Sequence, residues 1–149
     1  MQTLIGNPIL DESKKYYAMI SGGKDSMTAC HYIASKGCLA GCVFFDTGIC
    51  ANETRAFVES IKEYSVEIIP TPERYEWFVW KFGFPHYKGH EWVKNHIKGR
   101  ALRQFKAKHE GEELTLASGT RRYESKRRRM LAKPLSEWEG VSVISPLYH

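Results

Sequence analysis

Ser21-Gly22-Gly23-Lys24-Asp25-Ser26 is the stretch on which the reading of this chain turns. Before it, Tyr16-Tyr17-Ala18-Met19-Ile20 is an apolar and aromatic run held between Lys14-Lys15 and the glycines, the pattern of a buried strand. After it, Met27, Cys30, His31, Ile33 and Ala34 recur at helical spacing as far as Lys36-Gly37, where the glycine marks a C-terminal stop. The six residues therefore form a strand-to-helix turn. Two glycines let the backbone fold tightly and leave its N–H groups open, and two serines add hydroxyls at a helix N-terminus. Unpaired amides and the helix dipole both favour negative charge, so the turn is an anion site.

Spacing narrows the choice of anion. The Walker loop needs Gly-x4-Gly-Lys-Ser/Thr and the dinucleotide fingerprint needs Gly-x-Gly-x-x-Gly, and neither pattern fits these residues. Ser-Gly-Gly-Lys-Asp-Ser after a first strand resembles instead the pyrophosphate-binding loop of the adenine nucleotide alpha-hydrolase group, whose members bind ATP or split it between its alpha and beta phosphates. The plain alternative is a Gly-Gly turn that only joins strand to helix.

The 149 residues, 42% hydrophobic and 26% charged, suit one globular domain that needs no disulfide or metal staple. The sequence has no apolar run of membrane-spanning length, and Met1-Gln2-Thr3-Leu4-Ile5-Gly6-Asn7-Pro8 lacks the regions of a signal peptide, so the expected location is the cytoplasm. Cys30, Cys38, Cys42 and Cys50 include no Cys-x-x-Cys pair and are expected as free thiols, Cys38 and Cys42 packed in the core. The net charge of +5 is uneven: Lys94 to Lys133 holds thirteen Lys/Arg against four Glu. Such a field favours phosphate-bearing partners, nucleotide or nucleic acid.

Further along, Leu39-Ala40-Gly41-Cys42-Val43-Phe44-Phe45 is nearly continuously apolar, as in a parallel strand covered on both faces, and ends in Asp46-Thr47-Gly48. A helix is predicted from Asn52-Glu53 to Tyr64 with Phe57, Val58 and Ile61 inward, then a strand over Val66-Glu67-Ile68-Ile69, closed by Pro70-Thr71-Pro72. Glu73 to Phe82 is rich in aromatics. A basic helix follows from about Glu91 to Lys108 with Trp92, Ile97, Ala101, Leu102 and Phe105 on one stripe, and Trp77, Trp80 and Trp92 are expected in the core and not as a base-stacking platform, since no charged residues are interleaved at binding-site spacing. Leu114 to Ser118 and Val141 to Ile144 complete the strands. Strands alternating with helices predict an α/β domain with a mainly parallel sheet, whose ligands sit beyond the carboxyl ends of the strands. His86, His90 and His96 are spaced too irregularly to be read as a zinc site.

Two further segments join the first. Phe44-Phe45-Asp46-Thr47-Gly48 with Glu53-Thr54, and Gly119-Thr120-Arg121-Arg122-Tyr123-Glu124-Ser125-Lys126-Arg127, resemble signatures of the phosphoadenosine phosphosulfate (PAPS) reductase family. Trp92 with Lys98 resembles its Trp-Cys-x4-Lys segment, with Val93 where many members have cysteine. The resemblance spans residues 16 to about 147 and implies a Rossmann-like, three-layer domain with a five-stranded sheet in the order 3-2-1-4-5. It implies that Ser21, Gly22, Gly23 and Ser26 cradle pyrophosphate or its equivalent, with Lys24 balancing phosphate charge. Asp25 is read as capping the following helix, the alternative being help in holding Mg²⁺. Asp46 would accept from an adenine amino group or ribose hydroxyls, and Gly48 would let the base approach. Gly119, Arg121 and Arg122 would form a second, converging loop in which arginine grips phosphate or sulfate, with Glu124 steadying Arg121 or Arg127.

The family's true reductases attack sulfate with a cysteine in a C-terminal tail. No cysteine follows Cys50 here, so that route is not expected of this chain. The resemblance implies rather an ATP pyrophosphatase type of enzyme, using ATP or a related adenine nucleotide with Mg²⁺ to adenylate a substrate, with Lys24 and Arg121 as the catalytic charges. DNA phosphorothioation and tRNA thiolation proteins of this kind match the basic second half. The alternative is a nucleotide-binding module without turnover, a truncated reductase-like domain completed by a homodimer or a partner subunit. The run Lys126-Arg127-Arg128-Arg129 is read as a solvated helix face or a nucleic-acid contact, and Cys50 as a bystander thiol or a sulfur carrier.

Overall fold

The structure, a computed structural model, describes residues 10–71, 73–126, 130 and 133–148. In chain order it contains β1 (Tyr16–Met19), α1 (Lys24–Ser35), β2 (Leu39–Asp46), α2 (Asn52–Ser60), β3 (Val66–Pro70), α3 (Tyr75–Phe82), α4 (Tyr87–Lys108), β4 (Thr115–Ala117), a 3-10 turn (Arg122–Glu124), β5 (Leu135–Trp138) and β6 (Val141–Ile144). Arg127 to Arg129 of the basic run, Met1 to Pro8 and Pro72 lie outside the described residues. Among the described residues, no helix is long and apolar enough to cross a membrane.

Six strands form one Rossmann-like sheet in the order β3-β2-β1-β4-β6-β5, parallel except for β5. The expected five strands and their order are all present. The addition is β5, whose Leu-Ser-Glu-Trp is polar and mostly exposed and gives no apolar alternation to read. It folds back on β6 through Glu139 and Gly140, with φ of 50° and 72°. Two consecutive positive φ values fit a tight turn to the twist of a hairpin. From α4, Arg103 holds the Glu139 carboxylate at 2.8 Å and Lys106 donates to its carbonyl at 2.9 Å.

Side chains alternate across the central strands, so each strand feeds two cores. Ala18, Ile20, Cys42 and Phe44 point toward Cys30 of α1 and Val58 of α2. Val43, Ile69, Leu116 and Val143 point the other way, onto Ala101, Leu102 and Phe105 of α4. Helices thus cover both faces. Cys38 and Cys42 are buried free thiols, as expected from their apolar surroundings. α1 stops at Gly37, whose φ of 70° lets the last carbonyls of the helix be satisfied by the N–H groups of Gly37 and Cys38.

Two packing expectations are corrected. α2 ends at Ser60, not Tyr64, because the chain must turn back into β3, and Phe57 is exposed, leaving Val58 as the buried residue of that helix. Trp77, Trp80 and Trp92 are not core: they are 41%, 92% and 61% exposed. α3 buries Tyr75 and Phe78, three residues apart, against Val93 and Ile97. Trp77 and Trp80 share the same spacing on another face, and Trp92 falls beside the buried stripe of α4.

At the amino ends of the strands, His109 stands between two carboxylates. Its Nε2 is 2.6 Å from Glu67 and its Nδ1 is 3.0 Å from Glu112, while the Tyr17 hydroxyl donates to Glu112 at 3.1 Å. Burial opposes charge on the ring, but the hydrogen bonds to Glu112 and Glu67 outweigh it and raise the His109 pKa. The bond to His109 in turn lowers that of Glu112. A raised histidine pKa stabilises fully below the unfolded value, about 6.5, and the gain is lost as pH rises through the folded value. A lowered glutamate pKa stabilises above about 4.3 and the gain is lost as pH falls through the folded value. The melting temperature of the chain should therefore exceed that of His109→Gln most between about pH 4.3 and 6.5, with the gap closing on both sides. A gap that does not vary with pH would rule out this charge pairing.

Candidate functional site

The site lies at the carboxyl ends of the parallel strands. The chain runs outward from β1 to β2 and β3, then returns to β4 on the other flank of β1, so the strand order reverses between β1 and β4. The turns after those two strands diverge around one crevice, the place where such sheets hold ligands.

The first turn is Ser21 to Asp25. Gly22 takes a φ of 78°, a conformation other residues adopt only with strain. The helical ladder of α1 begins with the Met27 N–H bonding the Gly23 carbonyl, so the N–H groups of Lys24, Asp25 and Ser26 have no partner inside the helix. Ser26 is buried and shapes the turn: its hydroxyl donates to the Gly23 carbonyl at 2.8 Å and accepts from the Ser21 N–H at 3.1 Å. Ser21, Gly23 and Lys24 are exposed, leaving the cradle open to an anion.

The second turn reaches the first through Gly119. A Cβ at Gly119 would stand 2.6 Å from the Ser26 nitrogen and 2.7 Å from the Asp25 carbonyl carbon, closer than atoms can approach. Arg121, just beyond, lies 3.0 Å from the Asp25 carboxylate. The predicted capping role of Asp25 is thereby corrected. Gly23 is the N-cap and no side chain caps the helix; Asp25 sits one residue inside it and meets Arg121 instead. Arg122 is half-buried, its Nε has no hydrogen-bond partner among the described residues, and its guanidinium lies 5.5 Å from the Tyr123 ring.

A third wall is the turn after β2. Asp46 is 5% exposed, and its carboxylate accepts from the Gly48 N–H at 2.9 Å, from the Cys50 thiol at 3.8 Å and from Arg55 of α2 at 2.5 Å. Gly48 has a φ of 79°, and a Cβ there would meet the Arg74 guanidinium at 2.8 Å. Thr54, in the first turn of α2, lays its methyl 2.7 Å from where a Cβ of Gly22 would be. Cys50 is half-buried, and burial followed by the Asp46 charge pushes its pKa up, which keeps it a neutral thiol.

All eleven predicted site residues lie on these three turns, and the contacts named above tie the turns to one another. Sequence reasoning missed Arg55 and Arg74. Arg55 directly follows the quoted Glu53-Thr54, but nothing in the local pattern marks it as the partner of Asp46. Arg74 carries no sequence signal, because its meeting with Gly48 is long-range.

The tight contact at Gly119 gives a clear expectation. Gly119→Ala should weaken adenine nucleotide binding at least about tenfold and lower stability by about 1–3 kcal/mol, since the intruding methyl must push two backbone segments apart. Titration calorimetry with ATP and thermal melting check both, and unchanged affinity would show that the two turns do not act together.

A family model described as the phosphoadenosine phosphosulfate reductase domain matches residues 15–149. Among solved structures, the crystal structure of phosphoadenylyl-sulfate (PAPS) reductase from Candida auris, in its phosphate complex, is similar in fold, with a TM-score of 0.57 and 17% identity. The match covers 89% of this chain and 65% of that one, so the chain spans just under two thirds of the length of that relative. No curated protein matches the chain. The family model spans all three motif-bearing turns, and the chain belongs to the PAPS reductase domain family of the PP-loop ATP pyrophosphatase superfamily, a family of nucleotide-binding, sulfonucleotide-related enzymes.

Proposed function

We propose that the chain binds an adenine nucleotide across the three turns and, with ATP, catalyses release of pyrophosphate while adenylating an oxygen of a second substrate. The observation that carries this reading is the backbone contact of Gly119 with Asp25 and Ser26, which sets the amide cradle beside Arg121. One group on the nucleotide can then touch both.

In the proposed reaction a substrate oxygen attacks the alpha phosphorus, the bond to the bridging oxygen breaks, and pyrophosphate leaves onto the Gly22–Ser26 turn. Charge grows on the leaving pyrophosphate, so donors fixed beforehand at that place stabilise the transition state more than the ground state. Lys24 and Arg121 supply the positive charge, and the first amides of α1 supply the hydrogen bonds. Ser26 acts indirectly by keeping the turn in shape.

Magnesium fits this site as an ion carried by the phosphates. Among the described residues no group of three or more His, Cys, Asp or Glu is arranged to hold a metal. Phosphate-bound Mg²⁺ needs only one or two carboxylates beside phosphate and water oxygens, and Asp25 on the first turn of α1 is the carboxylate that would serve. When bound, the ion would add positive charge on the phosphate oxygens.

A second reading is a nucleotide-binding unit within a larger reductase-like protein. It is favoured by the 65% of the PAPS reductase chain that this chain covers. PAPS would then be the preferred nucleotide, and turnover would need residues outside these 149.

Titration with ATP, AMP and PAPS in Mg²⁺ buffer, with a pyrophosphate-release assay, separates the two. The first reading expects ATP binding and release of pyrophosphate, both reduced in Lys24→Ala, with the rate falling by roughly 10²–10³. Ser26→Ala should weaken binding through loss of the turn's shape. Preference for PAPS without pyrophosphate release supports the second reading, and failure to bind any of the three excludes both.

A further inference from the structure

Away from the turns of the crevice, α3, the start of α4 and the link between them carry exposed aromatic rings. Trp80, Phe84, Phe82 and Trp92 are 92%, 79%, 69% and 61% exposed there. Single exposed rings are ordinary, but Phe82 at the end of α3 and Trp92 of α4 line one recess, with Phe84 in the link between the helices, and such a patch marks a binding surface. Phe82, Pro85 and Trp92 frame a shallow recess of about 100 Å³ between the two helices, floored by Phe78 and Val93.

Positive charge is built into this patch. The Lys81 ammonium stands 4.6 Å from the centre of the Trp77 ring and 5.4 Å from that of Phe82. The segment from 73 to 98 contains five Lys/Arg against three Glu, within a chain of net charge +5. Trp92 lies parallel to His96, with 5.2 Å between ring centres. Flat rings beside a cation suit a polyanion that also offers flat faces. A second copy of the chain would instead bring two positive patches together.

We propose that this face binds single-stranded nucleic acid, with bases stacking on Phe82 and Trp92 and Lys81 meeting the phosphate backbone. Stacking accepts every base, since each has a π-face, and the cations track the strand. A duplex hides its base faces, so the surface selects single strands. The location suits a strand near the nucleotide site: the Tyr75 N–H, at the start of α3, donates to the Thr47 carbonyl at 3.3 Å. The inference does not depend on the adenylation reading.

Fluorescence anisotropy tests it, with labelled oligo-dT and oligo-U of about 20 nucleotides and a duplex of the same length, without ATP, at about 50 and about 200 mM salt. Binding of either single strand in preference to duplex, weakened at the higher salt, is expected. Phe82→Ala with Trp92→Ala should weaken it at least about tenfold, and Lys81→Glu should weaken it and flatten the salt dependence. Phe82 and Trp92 are mostly exposed, so the double variant should melt as the parent does and bind ATP as the parent does. Equal affinity for duplex, no effect of the double variant, or no binding at the lower salt would each overturn the proposal. So would sedimentation showing a dimer that the double variant abolishes, which would make the face a contact between copies of the chain.

Discussion

Gly119 lacks a side chain because the peptide between Asp25 and Ser26 fills the space in which one would stand. The arrangement of the crevice depends on that approach. β1 and β4 pair through Tyr17 with Leu116 and Ala18 with Ala117, which brings their carboxyl ends side by side. The turns leaving those ends must then share one narrow space. Glycine at 119 lets one turn press on the other, and the Ser26 hydroxyl holds the turn beneath it rigid. Arg121 is aimed by the same contact, since its meeting with Asp25 spans the two turns.

The turn after β2 is organised by charge. A carboxylate as buried as Asp46 is costly unless its oxygens are satisfied, and here a backbone N–H, a thiol and a guanidinium satisfy them. Arg55 remains 45% exposed while Asp46 is almost enclosed, so the pair is anchored from inside and reaches solvent on one side. This pre-set shape spares a ligand the cost of ordering the turn. Asp46 thus builds one wall of the crevice, with its carboxylate oxygens accepting from Gly48, Cys50 and Arg55.

The two faces of the sheet differ in what lies outside them. α1 and α2 expose single rings, Tyr32 and Phe57, whereas α3 sets Lys81 against Trp77 and Phe82 and the start of α4 exposes Trp92. α4 joins the two regions mechanically. Its buried stripe of Ile97, Ala101, Leu102 and Phe105 belongs to the cores, and its last turns hold the β5–β6 hairpin through Arg103 and Lys106.

What the sequence by itself determined is the part encoded by neighbours along the chain. The apolar runs at 16–20 and 39–45 specify buried parallel strands because both of their faces must be covered. The Gly-Gly turn and the stop at Gly37 are equally local, since each rests on backbone freedom that only glycine supplies at low cost. The three motifs placed the crevice for the same reason. Tertiary structure decided the rest. β5 forms only because β6 offers it an edge and α4 grips its turn, and Leu135 to Trp138 carries no period of its own. Trp77 and Trp80 turned outward because Tyr75 and Phe78 took the buried face, a competition that hydrophobicity alone cannot rank. Asp25 left its capping role for Arg121, and Asp46 found Arg55, because charge pairing depends on distance in space, and residues 25 and 121 become neighbours only once β1 and β4 have paired.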